Sequence, residues 1–382
     1  MSIFPENFDT SGGHVYSVYM SALHGFHPDH PFNDLPALPP AEALETTAVL
    51  KDVIEARSAL ATLNTACDLI PNPDIITSTI PLREAQASTE IENIVTTNDE
   101  LFKAEWKVDA TPSPATKEAL NYKEALYWGV DSLRIRPVSE KTAIQVCGML
   151  SGGPVKVRST PGTFIGDPRT QRRLYTPPEG KEVIEKHLSA WEKFIYSDHG
   201  LDPLVLMAAT HYQFEAIHPF YDGNGRTGRI LNILLLIQEK VLRLPVLYLS
   251  GYIVDNKSDY YSLLRRVTSD SAWEEWIRFM IRGVRESAEA ATSLIDELRG
   301  LQESTADLIR SMGISAGGEL SHLLFAKPYV RIGDLVDAGL AKRQTASQWL
   351  SQLEEAGVLK ESKVGRTKVF ANQEALAVLT RR

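Results

Sequence analysis

Several features that define large classes of proteins are scarce in this sequence. Its 382 residues include two cysteines, Cys67 and Cys147, and no CxxC pair. A disulfide framework therefore finds no support in the chain. Both cysteines lie in apolar stretches with helical spacing, which predicts buried, reduced thiols in a cytoplasmic protein.

Long hydrophobic runs and an excess of positive charge are missing as well. The first ten residues, MSIFPENFDT, have neither the basic flank nor the apolar run of a signal peptide. The longest apolar stretch, residues 230–237, is too short to span a bilayer, so we expect no membrane partner. A net charge of −9 argues against a chain built as a whole to bind nucleic acid or anionic lipid. Hydrophobic residues make up 43%, enough for the two or three domains that this length predicts.

The common phosphate-binding signatures are also missing. The chain contains no GxxxxGK[ST] loop, and it lacks the strand lysine, HRD and DFG segments of a protein kinase. Its glycines at 223, 225 and 228 fit the weak GxGxxG pattern of dinucleotide folds. However, the preceding run, LVLMAATHYQFEAI, has helical rather than strand periodicity. No acidic residue follows near residues 244–249, where a dinucleotide site would need one.

The most informative stretch that is present is HPFYDGNGRTGR, residues 218–229. It lies between a predicted helix and the apolar run ILNILLLIQEKVL, which predicts a second, buried helix. Gly223 and Gly225 permit backbone angles that turn successive N–H groups toward one point at the start of that second helix. The helix dipole adds positive potential there, and such a nest binds phosphate.

The charged side chains of the same stretch suggest what the nest is for. Arg226 and Arg229 are three residues apart, share a helix face and could form paired hydrogen bonds to phosphate oxygens. Asp222 would repel phosphate unless Mg²⁺ lies between them. His218 could accept a proton from an incoming hydroxyl group. We therefore expect an enzyme that acts on a nucleotide.

The stretch resembles the HxFx(D/E)GNGRxxR signature of Fic-domain proteins, and every fixed position matches. That resemblance implies transfer of AMP from ATP to a Ser, Thr or Tyr hydroxyl of a protein, with Mg²⁺ as cofactor. It makes His218 the general base, Asp222 the Mg²⁺ ligand, Arg226 the β-phosphate arginine and Arg229 the γ-phosphate arginine. The nucleotide-binding residues that it implies in this stretch are Gly223, Asn224, Gly225, Arg226, Thr227, Gly228 and Arg229.

A second match to the family lies upstream, where residues 88–93 read STEIEN. They fit (S/T)xxxE(G/N), the inhibitory motif of such proteins, and the resemblance implies inhibitory roles for Ser88, Glu92 and Asn93 on a helix of about residues 85–105. One helix face would carry Ser88 and Glu92. Glu92 would pair with Arg229 in place of the γ-phosphate and leave ATP misaligned for attack. The alternative is that Glu92 is a solvated residue on a surface helix.

Two further features have weaker signals. Residues 157–177 predict two short strands around a polar turn, in the position of the family's flap, which pairs with a target segment. An ordinary surface hairpin is the alternative. Tyr261 and Leu264 fall where related proteins line the adenine pocket, although aromatic residues at helical spacing also occur simply as core.

The chain changes character from residue 301 onward. Residues 331–372 predict a helix, a turn, a second helix at 344–355 and two short strands around Gly365, which is a winged helix-turn-helix pattern. From Arg331 to the end there are nine Lys and Arg against six Asp and Glu, so DNA contact through residues 331–371 is one hypothesis. Trp349 and Leu350 suggest packing, and a protein-contact module is the other.

Together these features predict a mainly α-helical protein with three parts. Residues 1–110 form a helical region with the inhibitory helix, 111–300 a Fic core with a β-hairpin flap, and 301–382 a winged-helix domain. The expected function is autoinhibited adenylyl transfer to another protein or to the chain itself, and the family suggests a homodimer. Three alternatives stay open: removal of AMP at the same site, a DNA-binding regulator that modifies itself, and transfer of another nucleotide.

Overall fold

The structure is a computed structural model that describes residues 26–70, 74–108, 111–167, 170, 172–364 and 367–381. Residues 1–10, for which the sequence predicts no signal peptide, lie outside this part, and so does the predicted turn at Gly365. Within the described residues the protein is mainly α-helical, as predicted. No helix of this part combines the length and the apolar character that a bilayer crossing needs.

Residues 47–311 form a helical core. Its N-terminal helices are α1 (Thr47–Leu69), α2 (Asp74–Ile91), α3 (Asn98–Glu105), α4 (Pro114–Ser132) and α5 (Glu140–Ser151). The helices that follow are α6 (Lys181–Ile195), α7 (Pro203–Ile217), α8 (Asn224–Gln238), α9 (Leu249–Asp255), α10 (Lys257–Asp270) and α11 (Trp273–Ser311). The consecutive helices α7 and α8 are buried on nearly every face and pack against each other at the centre.

Capping residues explain where several of these helices begin. The side chains of Thr46, Ser113 and Asp202 accept hydrogen bonds from backbone N–H groups in the first turns of α1, α4 and α7. In α4 and α7 a proline also occupies the first turn, where its missing N–H removes no helical hydrogen bond.

Helix α2 contains a proline in its interior and still continues. Pro81 has no N–H, so the carbonyl of Thr77 one turn earlier loses its usual partner. The hydroxyl of Tyr127, on α4, donates a hydrogen bond to that carbonyl. The defect is therefore satisfied from outside, and α2 is fixed against α4 at this point.

The predicted inhibitory helix at residues 85–105 is two helices in the structure. Helix α2 ends at Ile91, and α3 starts at Asn98. Asn93 has φ of 62°, in the left-handed region that asparagine adopts more readily than most residues. A capping box at Thr97 and Glu100 then starts the new helix. Local capping chemistry therefore overrides the continuous helical pattern.

The predicted flap is an antiparallel hairpin of β1 (Ile165–Asp167) and β2 (Arg172–Tyr175). The pairs are Ile165 with Tyr175, Gly166 with Arg173, and Asp167 with Arg172, with a register shift after Ile165. Residues 168, 169 and 171 of the turn lie outside the described part.

The C-terminal region continues without a break from the long helix α11, so the expected boundary at 300/301 lies inside one helix. Its elements are α12 (Gly317–Ala326), β3 (Tyr329–Val330), α13 (Ile332–Asp337), α14 (Arg343–Glu355), β4 (Leu359–Val364), β5 (Thr367–Asn372) and α15 (Gln373–Thr380). The strands form one antiparallel sheet in the order β3-β5-β4. The second helix of the pair, expected at 344–355, starts one residue earlier, and its Leu350 is buried.

Candidate active site

The loop between α7 and α8 brings the residues of the HPFYDGNGRTGR stretch together. His218 follows the last residue of α7 with φ of 48°, and Phe220 is buried beneath the loop. The side-chain amide of Asn224 closes the loop: its Oδ1 accepts from the N–H of Phe220, and its Nδ2 donates to the carbonyl of the same residue, both at 2.8 Å. Asn224 thus contributes its side chain to loop geometry rather than to the rim of the nest.

The start of α8 has the geometry expected of an anion site. Gly223 precedes the helix with φ of 81°, and no side chain in the described residues caps the helix there. The N–H groups of a first helical turn have no partner within the helix, and they point along the positive end of its dipole. An anion with several oxygen atoms suits this position.

His218 lies beside this helix start with its imidazole partly enclosed by the protein. The residue is half-buried, and its Nδ1 atom is shielded from solvent. Burial, together with the nearby Arg158 guanidinium, lowers the pKa of His218 to about 4 against the opposing charges of Glu92 and Asp222. The imidazole is therefore neutral at pH 7 and can accept a proton.

Arg229 is buried in α8 and is bound to the segment that carries Ser88 and Glu92. Its Nε donates to Ser88 Oγ at 2.8 Å, and its Nη2 donates to the Ser88 carbonyl at 3.0 Å and to Glu92 Oε1 at 2.8 Å. Burial alone would lower the pKa of Arg229, but the Glu92 carboxylate leaves it above its usual value. The ion pair expected from the two motifs is present, with Glu92 just beyond the end of α2.

Glycines 225 and 228 have different neighbours. A Cβ atom at Gly225 would overlap Glu92 Oε1 and come within 2.9 Å of Arg229 Nη1, so this glycine makes room for the ion pair. A Cβ atom at Gly228 would lie 2.5 Å from Glu215 Oε1. The close contact of α8 with α7 therefore explains why this position is glycine. The part of Gly228 in nucleotide binding stays a prediction.

The two arginines of the motif contact different elements. Arg226 donates to Glu118 of α4 and, at 3.3 Å, to Asp222 Oδ1. Arg229 contacts α2 instead. Asp222 also accepts from the N–H of Gly223 at 2.8 Å, yet its side chain is 85% exposed. The sequence predicted that both arginines share one face of the helix. In the structure Arg226 and Arg229 instead make polar contacts on different sides of the helix start.

The remaining predicted residues are close to this group. Asn93 accepts a hydrogen bond from Lys257 Nζ at 3.2 Å. Thr227 is buried in the first turn of α8. Tyr261 is half-buried, with its ring centroid 5.2 Å from that of Tyr260, and the charges of Glu92 and Arg229 act on its hydroxyl. His211 packs beside Tyr260: its Nε2 lies 2.8 Å from the Tyr260 hydroxyl, and its ring stacks on Trp276.

A buried carboxyl group that the sequence did not reveal holds α2 in place. Glu84 accepts hydrogen bonds from the Ser250 N–H at 2.8 Å, from the Ser250 hydroxyl and from the Tyr122 hydroxyl at 3.1 Å. Burial raises its pKa. The segment that carries Glu92 is therefore attached at Glu84 as well as at Arg229.

Three more residues of the site were not predicted from the sequence. Glu118 pairs with Arg226, Glu215 contacts the α7–α8 packing, and Arg158 contacts the backbone of the loop. Glu215 had one available signal, an acidic residue in the otherwise apolar run that precedes His218. Glu118 and Arg158 are 108 and 60 residues away from their partners, and no local pattern could identify them.

The donor atoms at the site suit a metal ion that arrives with a ligand. Among the described residues, no cluster of three or more His, Cys, Asp or Glu side chains could hold a metal. Asp222 offers an exposed carboxylate beside the helix start. Mg²⁺ is commonly held by one or two carboxylates together with substrate phosphates and water, so these residues fit such an ion.

Three family models match successive parts of the chain. They are described as Fic/DOC family N-terminal, over residues 50–131; Fic/DOC family, over residues 139–236; and Protein adenylyltransferase SoFic-like, C-terminal domain, over residues 301–375. The second match contains the whole loop from His218 to Arg229.

Curated relatives are similar over a shorter stretch. The chain is 29% identical over 115 residues to "Protein adenylyltransferase Fic" of Nematostella vectensis, which is 30% of this chain and 25% of that protein. It is 30% identical over 115 residues to "Protein adenylyltransferase fic-1" of Caenorhabditis elegans, which is 30% of this chain and 20% of that protein. The matches therefore span a quarter or less of these relatives.

Solved structures share the fold over more of the chain. A Fic family protein from Desulfovibrio desulfuricans aligns with a TM-score of 0.58 and 23% identity, over 87% of this chain and 98% of that one. A Fic domain containing signaling protein from Bacteroides thetaiotaomicron aligns with a TM-score of 0.51 and 16% identity, over 63% and 95%.

Proposed function

Because the chain belongs to the Fic/DOC family, we propose that it is a protein adenylyltransferase that moves AMP from ATP to a Ser, Thr or Tyr hydroxyl of a protein, its own chain included. The observation that carries this proposal is a neutral imidazole, His218, one short loop away from the uncapped N-terminal end of α8. A proton acceptor and an anion site at this separation suit attack by a hydroxyl on a phosphate ester.

The loop and α8 divide the work of that reaction. His218 takes the proton of the attacking hydroxyl, whose oxygen forms a bond to the α-phosphorus as pyrophosphate leaves. The N–H groups at the start of α8 stabilise the charge on the α- and β-phosphates, and Arg226 contacts the β-phosphate. Arg229 contacts the γ-phosphate once it is released from Glu92. A Mg²⁺ ion held by Asp222 would neutralise phosphate charge.

The same geometry supports inhibition by Glu92. Its carboxylate already forms the 2.8 Å contact with Arg229 that a γ-phosphate oxygen would form. The guanidinium is 2% exposed, so solvent screens the pair weakly. ATP that binds while this pair persists loses one of its anchors, and its α-phosphorus is not aligned for attack.

Transfer of label from α-labelled ATP in the presence of Mg²⁺ tests this function. We expect weak labelling of the wild-type chain and labelling that is higher by about tenfold or more in Glu92→Gly, which corresponds to about 1.4 kcal/mol or more of relieved competition. The double variant Glu92→Gly/His218→Ala should take up no label, because the proton acceptor is missing.

Glu90→Gly is the matched control, since it places the same flexible residue near the end of α2 and leaves Glu92 in position. Equal activation by Glu90→Gly would mean that loosening of the helix, and not loss of the carboxylate, raises transfer. If no variant takes label but the wild-type chain removes AMP from a modified protein, the reverse reaction replaces our proposal. Competition by GTP, CTP and UTP determines which nucleotide is preferred.

A further inference from the structure

The base of the flap contacts the end of α7 through one buried arginine. Arg158 lies seven residues before β1, in the segment leading into the hairpin that we call the flap base, and is 1% exposed. Its Nε donates to the carbonyl of His218 at 2.7 Å, and its Nη2 donates to the carbonyl of Pro178, beyond β2, and to that of Ile217 at 3.4 Å. Its own N–H donates to the carbonyl of Pro219 at 2.9 Å. One residue thus contacts three consecutive carbonyls of the catalytic loop and both ends of the flap.

The chemistry of helix ends explains why these contacts are favourable. The carbonyls at the C-terminal end of a helix lack intrahelical partners and carry partial negative charge, which a cation stabilises. His218 has a left-handed backbone angle of 48°, which is unfavourable for a residue with a Cβ atom. An arginine that binds the carbonyl of this residue opposes rotation of its peptide plane, and therefore of the imidazole attached to it.

The other side of the same loop is attached to the flap base by Tyr221. Its hydroxyl accepts hydrogen bonds from the N–H groups of Ser159 at 3.1 Å and Thr160 at 2.9 Å, and it lies 2.9 Å from Thr160 Oγ1. These contacts are exposed, whereas those of Arg158 are enclosed. The enclosed side chain therefore determines the position of the loop more strongly.

We propose that Arg158 is a positioning residue for the transfer reaction, which fixes the catalytic His218 relative to the flap that presents the target hydroxyl. The inference rests on the proposed function, because it assigns Arg158 to the alignment of the two reactants. It adds to that function a residue outside the HPFYDGNGRTGR motif.

The charge of Arg158 contributes to the same role. The charged groups that act on His218 are Arg158 from the flap base, Glu92 from the end of α2 and Asp222 from its own loop. Arg158 favours the neutral imidazole, and the two carboxylates favour the charged form. Loss of Arg158 should therefore raise the pKa of His218 from its value of about 4 and shift the acid limb of the transfer profile to higher pH.

The kinetic test compares two flap residues in the Glu92→Gly background. Arg158→Gln removes the cation, and Arg158→Lys keeps the charge but not the planar fork. We expect kcat to fall on the order of 100-fold in Arg158→Gln and less in Arg158→Lys, with a small change in the KM for ATP. Tyr175→Phe is the matched control, because the Tyr175 hydroxyl donates at 2.7 Å to the Ala216 carbonyl, two residues before His218.

Tyr175→Phe should keep most of the parental kcat, because it leaves the carbonyl of His218 bound. An equal fall in kcat for Tyr175→Phe and Arg158→Gln would overturn the proposal, since any weakening of the flap base would then suffice. Unchanged kcat in Arg158→Gln would also overturn it. If Arg158→Gln fails to fold, Arg158→Lys supplies the same comparison.

A second measurement is independent of activity and separates this inference from the proposed function. The pKa of His218 is followed by NMR through its Cε1–H signal, which is identified by its loss in His218→Ala. We expect a higher pKa in Arg158→Gln and no change in Tyr175→Phe. This pattern in a chain that transfers no AMP would refute adenylyl transfer alone, whereas an unchanged pKa in Arg158→Gln would refute the role of Arg158.

Discussion

Glu215 lies in an environment that does not suit an ionised carboxylate. Its Oε1 is enclosed next to Gly228 and has no hydrogen-bond partner among the described residues. Burial raises the pKa of Glu215 to about 8; the Arg229 charge opposes this rise, and the Glu92 charge adds to it. The carboxyl group is therefore largely protonated at pH 7, and α7 and α8 pack against a neutral group.

This pKa predicts a specific dependence of stability on pH. The folded pKa of about 8 lies above the ordinary value of 4.5, so the contribution of Glu215 is full below pH 4.5 and is lost as the pH rises through 8. Glu215→Gln removes the titration, so the stability of the wild type relative to this variant should fall by at most about 1.4 kcal/mol per pH unit across that window.

The measurement is urea unfolding of both proteins between pH 5 and 9. The comparison is needed because His211, with a pKa lowered to about 3 by burial, contributes an opposite slope at acid pH in both chains. A constant difference in unfolding free energy across the range would mean that Glu215 is ionised in the folded protein.

At the scale of single residues, the sequence predicted partners only when both belonged to a motif. Ser88, Glu92 and Arg229 do meet as expected. Glu118, which binds Arg226, belongs to no recognisable pattern, because a carboxylate on an ordinary helix has no local mark of its partner. Contacts between distant residues depend on how the helices pack.

Among the elements, the flap shows how one residue sets the pairing of two strands. Gly166 on β1 lies opposite Arg173, beside the register shift that follows Ile165. A Cβ atom at Gly166 would overlap the carbonyl oxygen of Arg172 on β2. Close approach of the two backbones at this pair thus requires glycine.

We therefore expect Gly166→Ala to disrupt the hairpin while leaving the nucleotide site intact. The clash should cost about 1–3 kcal/mol, as overpacking commonly does, and the strands must separate to relieve it. In the Glu92→Gly background, transfer of AMP to protein should fall while the Kd for ATP stays the same.

Gly153→Ala is the control for this prediction, because a Cβ atom there would meet nothing within 4 Å. Label transfer and equilibrium binding of ATP are measured for both variants. A parallel loss of ATP affinity in Gly166→Ala would show that the hairpin supports the nucleotide site rather than the target.

Over the whole molecule, the C-terminal region contacts the segment that carries Glu92. Arg331 Nη2 donates to the carbonyls of Lys107 at 2.7 Å and Trp106 at 3.2 Å, just beyond α3. At the other end of the segment, Asn98 Nδ2 donates to the carbonyl of Thr380 at 3.2 Å, and Arg83 Nη2 to that of Arg381 at 2.8 Å. Helices α2 and α3 are thus held from both sides of the inhibitory motif.

Arg331→Ala should loosen this segment at a distance from the loop between α7 and α8. Loss of a charged donor from a half-exposed contact should cost on the order of 1 kcal/mol, or about fivefold faster exchange of local amides. Hydrogen exchange of residues 92–108 measures the effect, with the exposed Arg343→Ala of the same region as control. Equal protection in the two variants would mean that the C-terminal region does not stabilise the segment.

DNA binding and a homodimer stay predictions.

The sequence by itself determined the helical class, the hairpin and the loop that brings residues 218–229 together, because these follow from periodicity, turn residues and a contiguous motif. It also paired Glu92 with Arg229, since each belongs to a recognisable pattern. The tertiary structure alone decided that helix α2 ends at Ile91, that Glu84 attaches it to Ser250, and that Arg158 binds the carbonyl of His218. Such contacts join residues far apart in the chain, and only the packing of the buried helices determines which polar groups must satisfy one another.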